Sequence, residues 1–226
     1  MTMGSFAYNV WYVAHHPEFF VQYLTRERTI GRFLGVDKSK VSGAIRECSP
    51  LTQKIFTQLK NEPYYGQMDK RKNEAVYALI RLSRPRFVVE TGVAAGVSSY
   101  YILDALHKNG EGTLTSIDIR GKLPNDKPTG WLVPRELRNR WTLLEGSSKS
   151  LLPNTVIAGC SVDFFLHDSE HSYENMTYEY STIWISLADG GLVVSDNIEW
   201  NTAFNDFCQS KGRRPIQLYG LGITRK

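Results

Sequence analysis

The chain has 226 residues, with 27 lysines and arginines against 23 aspartates and glutamates, and a formal net charge of +4. This length suits one domain, or one domain with an extension. A content of 42% hydrophobic and 22% charged residues excludes a mainly disordered, collagen-like or coiled-coil chain. The charge is only mildly basic, so it does not by itself indicate a nucleic-acid partner.

The three cysteines are far apart and form no CxxC pair, which argues against a disulfide framework or a zinc ribbon. The N-terminal residues lack a basic leader followed by an apolar stretch, and no run approaches 18 apolar residues. We therefore expect a cytoplasmic protein without a signal peptide and without stable membrane insertion.

Residues 1–84 are predicted to form a helical extension. Aromatic residues are dense from Phe6 to Phe33, and helices are predicted over 51–59 and from about 69 to 83, where Pro85 follows. Three roles for the aromatic segment stay open: a lid or substrate wall, a dimer contact, or a membrane-surface contact. Packing or dimerisation is favoured because the apolar spacing is not a clean helical stripe, and we expect a homodimer or a higher homo-oligomer.

From residue 85 to residue 226, short apolar strands alternate with helical patterns, which predicts one α/β domain. The fold class is a Rossmann-like, doubly wound, mostly parallel sheet of about seven strands with an antiparallel C-terminal strand. Helices are predicted over about 98–108, 173–187 and 202–210. The predicted strands are 87–89, 113–117, 141–144, 162–166 and 191–194, with a closing hairpin of 216–219 and 222–224. In such sheets the ligand lies at the carboxyl ends of the strands.

The end of the first strand has the residues of a nucleoside-binding turn. Gly92 and Gly96 allow a tight turn and a close approach to a ligand, and Ser98 stands at the start of the next helix. The second strand ends on Asp118, whose carboxylate can accept hydrogen bonds from both ribose hydroxyls. The glycine spacing departs from the GxGxxG dinucleotide fingerprint, which makes a nicotinamide enzyme less consistent with the sequence. The alternative is a tight turn that needs glycine for its geometry alone.

The fourth and fifth strands both end in oxygen-bearing side chains. Asp168 follows the fourth strand, and Asp196 and Asn197 follow the fifth. Neighbouring strand ends bring these oxygens together, and an all-oxygen ligand set suits a hard divalent ion such as Mg²⁺. The alternative is that Asp168 caps the following helix and Asp196 starts a turn.

The segment from about residue 86 to residue 200 resembles the class I S-adenosylmethionine (SAM)-dependent methyltransferases. Within that family it is most similar to the group that includes macrolide-sugar O-methyltransferases and proteins related to cephalosporin hydroxylase. The motifs that carry the resemblance are ETGVAAG, HDSEHSYE and LADGGLVVSDN. The resemblance does not extend to the first 84 residues.

The resemblance implies a SAM site and a metal site. Catechol-type O-methyltransferases share an Asp…Asp-Asn arrangement of metal ligands, which this sequence matches. The implied cofactor residues are Glu90, Thr91, Gly92, Gly96, Ser98, Asp118, Ser147 and Asp168, and the implied metal ligands are Asp168, Asp196 and Asn197.

The predicted activity is divalent-metal-assisted O-methylation of a small hydroxylated molecule, such as a sugar or a natural product. His171 is the candidate general base beside Asp168, since an imidazole of ordinary pKa removes protons at neutral pH. The alternative for this histidine is a structural role. The alternatives for the chain are a hydroxylase-like relative and a non-catalytic SAM-binding protein. A nucleic-acid substrate is not expected, because the basic clusters are short.

Overall fold

The computed structural model describes residues 17–157 and 161–226. Residues 6–16 of the N-terminal aromatic segment and Cys160 lie outside the described residues. Within them, each helix is too short or too polar to cross a lipid bilayer.

The described chain runs through four helices before it enters the sheet. Downstream of them, strands and helices alternate, with a 3₁₀ helix at Arg135–Arg140 before the third strand. The helices are α1 (Pro17–Leu34), α2 (Lys38–Glu47), α3 (Ser49–Gln58), α4 (Lys70–Ser83), α5 (Val97–Asn109), α6 (Ser148–Ile157), α7 (Tyr173–Ser186) and α8 (Ala203–Ser210). The strands are β1 (Phe87–Thr91), β2 (Thr113–Asp118), β3 (Trp141–Glu145), β4 (Val162–His167), β5 (Leu187–Ser195), β6 (Ile216–Leu218) and β7 (Leu221–Arg225).

The seven strands form one sheet in the order β3-β2-β1-β4-β5-β7-β6. Strands β1 to β5 pair in parallel, and β7 is antiparallel to both β5 and β6. The central strands β1 and β4 are almost continuously buried, as expected when helices cover both faces of a parallel sheet. The predicted fold class, including the antiparallel C-terminal strand, is confirmed.

Two helices were not predicted from the sequence, and each has a local reason. Helix α2 is short, polar and interrupted by Gly43, although Asp37 caps it by accepting a hydrogen bond from the Ser39 N–H. Helix α6 contains Pro153 and shows no apolar stripe. Strand β5 begins at Leu187, earlier than the predicted residue 191, because its register against β4 shifts after Val162.

The N-terminal helices share their core with the sheet domain. Ile30 of α1, Val41 of α2 and Ile55 of α3 are fully buried in the same apolar cluster as Val88 and Phe164 of the sheet. The predicted boundary at residues 84 and 85 stays a prediction. The described part of the extension packs against the sheet domain through this cluster, as one of the three proposed roles requires.

A buried ion pair joins the first helix to the fourth. The Arg26 guanidinium donates to Glu74 Oε2 at 2.9 Å, and both side chains are at most one-tenth exposed. The second cation near this carboxylate, Lys70, lies 3.9 Å away and is mostly exposed. Arg26 is therefore the main compensation for the buried Glu74 charge.

We expect Arg26→Met to lower the free energy of unfolding by about 3 kcal/mol, because Glu74 keeps its buried charge without its main partner. Urea unfolding followed by circular dichroism measures this. The control is Arg28→Met, an exposed arginine on the same helix, which should change stability little. The double variant Arg26→Met/Glu74→Leu should recover most of the loss. Equal effects of Arg26→Met and Arg28→Met would contradict the importance of the pair.

Candidate functional site

A cavity of about 570 Å³ opens at the carboxyl ends of β1 to β4. Its wall contains residues from each of these strand ends and also from the loop between α3 and α4. Predicted site residues that line it are Gly92, Ser98, Asp118, Ser147 and Asp168. The cavity lies above the neighbouring strands β1 and β4, where the order of strands in the sheet reverses direction. Open α/β sheets bind ligands at this kind of reversal point.

The turn after β1 depends on two glycines in left-handed backbone conformations. Gly92 has a φ of 85°, and a Cβ atom there would lie 1.9 Å from the Asp168 carbonyl oxygen. Gly96 has a φ of 86°, and a Cβ atom there would lie 2.8 Å from Gly130 Cα. The glycines therefore let two other segments approach the turn. Gly92 lines the cavity and Gly96 lies behind it.

Asp118 holds this turn in shape. Its Oδ2 accepts hydrogen bonds from the N–H groups of Val93 (2.8 Å) and Ala94 (3.0 Å), and its Oδ1 accepts from the Arg120 N–H (2.9 Å). The carboxylate also faces the cavity, and its Oδ1, which accepts only one hydrogen bond, has a further lone pair. Asp118 therefore joins the β1 turn to the β2 end and still has acceptor capacity for a ligand.

Glu90 supports the turn from behind and does not line the cavity. It is fully buried, and its oxygens accept hydrogen bonds from the hydroxyls of Ser98, Ser99 and Ser116, each at 2.6 Å. Burial raises the pKa of Glu90, and the three hydroxyl donors partly offset that rise. Ser98 lines the cavity, but its hydroxyl is directed to Glu90.

Glu179 on α7 is a second buried carboxylate, and the sequence reasoning missed it. It accepts hydrogen bonds from Thr91 Oγ1 (2.5 Å), Ser169 Oγ (2.8 Å) and Asn175 Nδ2 (3.0 Å), and it lies 2.7 Å from His167 Nδ1. Burial alone would raise its pKa, but the hydrogen bond from His167 and the other donors lower it to about 2. Glu179 thus fixes the ends of β1 and β4, between which Asp168 lies.

The predicted metal ligands come together around a lysine. Lys72 Nζ lies 2.5 Å from Asp196 Oδ1 and 3.0 Å from Asn197 Oδ1. Oxygen atoms of Asp168 and Asp196 and a ring nitrogen of His171 lie within 4.8 Å of one another. Lys72 is on α4, so the cation comes from the N-terminal extension.

The oxygens expected to bind Mg²⁺ therefore already have a cation. An ion bound about 2.1 Å from the Asp196 and Asn197 oxygens would lie within about 5 Å of the Lys72 ammonium. Two cations at this short distance repel each other strongly inside a buried site. The three oxygens fit Mg²⁺ in chemistry, but they do not fit it together with Lys72 in this position.

Asp168 and His171 each have a buried polar atom without a hydrogen-bond partner among the described residues. Asp168 Oδ1 and His171 Nε2 are buried 3.9 Å apart, and neither has a hydrogen-bond partner within residues 17–157 and 161–226. Burial, together with the neighbouring Asp196 charge, raises the pKa of Asp168 well above its usual range. Burial, then the nearby His167 and Lys72, lowers the pKa of His171 to about 4. The imidazole is therefore neutral at neutral pH, but it is a weaker base than the imidazole of ordinary pKa that the sequence predicted.

Aromatic side chains near the site were also missed from the sequence. Tyr64 lines the cavity and is 77% exposed. The ring of Trp200, 66% exposed, lies 5.1 Å from the ring of His171, centroid to centroid. The only sequence signal for Tyr64 is its neighbour Tyr65 in a turn-rich segment.

Comparison with known proteins finds a family that resembles the part of the chain containing this site. Residues 89–198 match the family described as "Methyltransferase domain". This range contains the β1 turn, the end of β2 and all three predicted metal ligands. A search of curated proteins gave no match.

Solved structures share the fold at low sequence identity. An O-methyltransferase from Bacillus cereus in complex with S-adenosylhomocysteine (SAH) is 11% identical, covering 89% of this chain and 97% of that chain, with a TM-score of 0.57. The O-methyltransferase TomG from Streptomyces achromogenes, in complex with SAM, is 16% identical, covering 84% and 89%, with a TM-score of 0.57. Cofactor-bound Rv0187 from MTB is 15% identical, covering 82% and 88%, with a TM-score of 0.59.

We expect Gly92→Ala to destabilise the protein more than backbone strain alone requires, because the added Cβ meets the Asp168 carbonyl oxygen. The control is Gly190→Ala, where φ is 81° and nothing lies within 4 Å of the added Cβ. Gly190→Ala should lower the free energy of unfolding by about 1–2 kcal/mol, which is the usual penalty for an L-amino acid other than glycine in the left-handed backbone conformation. Thermal unfolding of both variants measures the difference. Similar melting temperatures would show that the contact between the β1 turn and Asp168 is easily relaxed.

Proposed function

We propose that the chain is a class I SAM-dependent methyltransferase and that it transfers the methyl group of SAM to a hydroxyl oxygen of a small molecule. The observation that carries this proposal is the continuity of the site. The cavity runs from the glycine turn and Asp118 to Asp168, and His171, which does not line it, has its Nε2 3.9 Å from Asp168 Oδ1. One end suits a nucleoside and the other suits a hydroxyl group.

SAM binds along the glycine turn in this proposal. Asp118 accepts hydrogen bonds from the ribose hydroxyls, and Gly92 lets the cofactor approach the backbone. Ser147 lies at the adenine end, on the loop after β3. Three other predicted cofactor residues support the β1 turn from behind, through their side chains or backbone, and so affect SAM binding indirectly. They are Glu90, Thr91 and Gly96.

Methyl transfer is an in-line displacement at the sulfonium. The bond between sulfur and the methyl carbon breaks as the acceptor oxygen bonds to that carbon, and SAH leaves with the electron pair. The acceptor hydroxyl proton goes to His171 Nε2, which is neutral and has no protein partner within the described residues. Asp168 Oδ1 accepts a hydrogen bond from a neighbouring hydroxyl of the acceptor and so orients the reacting oxygen toward the methyl group.

The acceptor is a small molecule with a ring in this proposal. Tyr64 at the cavity and Trp200 beside His171 offer aromatic faces on which a phenol or a sugar ring stacks. Homo-oligomerisation and cytoplasmic location stay predictions, as does the magnesium assistance expected from the sequence, against which the position of Lys72 argues. The competing proposal is a non-catalytic SAM-binding protein. This alternative requires only the cofactor end of the site.

We expect Asp118→Asn to weaken SAH binding about 10- to 100-fold, because an amide is a poorer partner for ribose hydroxyls and for the N–H groups of the turn. Titration calorimetry measures this affinity. The matched control is Asp163→Asn, since Asp163 Oδ2 also accepts from two N–H groups, those of Arg86 (2.7 Å) and Phe87 (2.9 Å), ahead of β1. The control should bind SAH like the wild type. No SAH binding by the folded wild type would overturn the proposed function.

We expect His171→Asn to lower kcat about 10²- to 10⁴-fold, because general-base catalysis is lost. Its affinity for SAH should stay within about twofold, a factor that corresponds to roughly 0.4 kcal/mol. The assay measures SAH formed from SAM with a panel of sugars and phenols. The control is His107→Asn, an exposed histidine on α5. An unchanged kcat in His171→Asn would remove the base from the mechanism. SAH binding without turnover of any acceptor would favour the non-catalytic alternative.

A further inference from the structure

A buried lysine occupies the position expected for a divalent ion. Lys72 Nζ contacts an oxygen of Asp196 and an oxygen of Asn197, at 2.5 Å and 3.0 Å, and its side chain is 9% exposed. Two of the three predicted metal ligands are thereby bound to a cation of the chain itself. The alternative ligand set of Asp168, His171 and Asp196 shares the same Asp196.

The position of Lys72 in its helix needs a compensating interaction. Lys72 lies in the first turn of α4, where the helix dipole disfavours a positive charge. Burial of an ammonium is also costly unless an anion accompanies it. Asp69 caps this helix by accepting from the N–H groups of Arg71 and Lys72, which fixes the first turn. The contact with Asp196 is the interaction that offsets both costs.

The charges around the site leave little attraction for a second cation. Asp168 and Asp196 bring at most two negative charges, and Lys72 already neutralises one. Counting only these two carboxylates and the ammonium, a divalent ion would leave a net positive charge in a buried place unless Lys72 moved out. The carboxylates of Glu199 and Asp69 also act on Lys72. The side-chain Oδ1 of Asn197 shares the Lys72 ammonium with Asp196.

We propose that Lys72 is the resident cation of this site and that the protein works without a divalent metal. Lys72 is a positioning residue: it neutralises Asp196 and leaves Asp168 to orient the acceptor beside His171. The positioning role of Lys72 rests on the proposed function. The exclusion of a divalent metal by Lys72 does not rest on it, because that exclusion follows from the contacts of Lys72 with Asp196 and Asn197.

The test measures Mn²⁺ binding by electron paramagnetic resonance, with and without SAH, on wild type and two variants. Lys72→Met removes the ammonium and keeps the length of the side chain. Lys70→Met is the control, since Lys70 is on the same turn and its side chain is 59% exposed. Wild type and Lys70→Met should bind no Mn²⁺ up to about 1 mM, the weak end of sites for hard divalent ions. Lys72→Met should gain one site with at least about tenfold tighter binding, which Asp196→Asn removes.

Binding of one Mn²⁺ by the wild type, lost in Asp196→Asn, would overturn the proposal, and this result needs no lysine variant to fold. Failure of folded Lys72→Met to gain a site would also overturn it. A second readout is turnover: wild-type kcat should be unchanged by EDTA, and Lys72→Arg should retain more activity than Lys72→Met. SAH binding in the same samples reports on the proposed function separately, so the two proposals fail in distinguishable ways.

Discussion

A parallel sheet brings several acidic side chains together at one edge. The structure depends on hydrogen-bond donors and a cation that compensate the charges of these side chains. Strands β1, β2, β4 and β5 all end there, and the acids at their ends lie within one small volume. Asp118 is compensated by backbone N–H groups, Glu90 by three serine hydroxyls and Asp196 by Lys72. A charge so buried is tolerated only with such partners.

Asp168 is the exception among these acids, and the proposed chemistry lies beside it. Its Oδ1 has no hydrogen-bond partner in the described parts of the chain, and it lies 3.9 Å from an equally unpartnered nitrogen of His171. Fully compensated acids such as Glu90 and Glu179 hold the backbone in place. The one that is not compensated faces the cavity, where a ligand can complete its hydrogen bonds.

The N-terminal extension contributes to the site. It supplies Lys72 beneath Asp196 and the loop of Tyr64 to Gln67 that forms one wall of the cavity. The same helices share their apolar cluster with the sheet, and Arg26 pairs with Glu74 two residues after Lys72. The position of the Lys72 ammonium therefore depends on how firmly α4 packs against α1 and the sheet.

The sheet and the carboxyl-end acids followed from the sequence, whereas the partners of those acids did not. Short apolar strands that end in Asp118, Asp168 and Asp196 give a local signal, because strand ends in a parallel sheet must share one edge. Lys72 and Asp196 are 124 residues apart in the chain. Nothing in the neighbourhood of Lys72 distinguishes it from the exposed Lys70, since both stand in a polar first turn. Three oxygens at strand ends therefore imply a cation but not its identity. That identity is set by which side chain the packing of a distant helix brings to them.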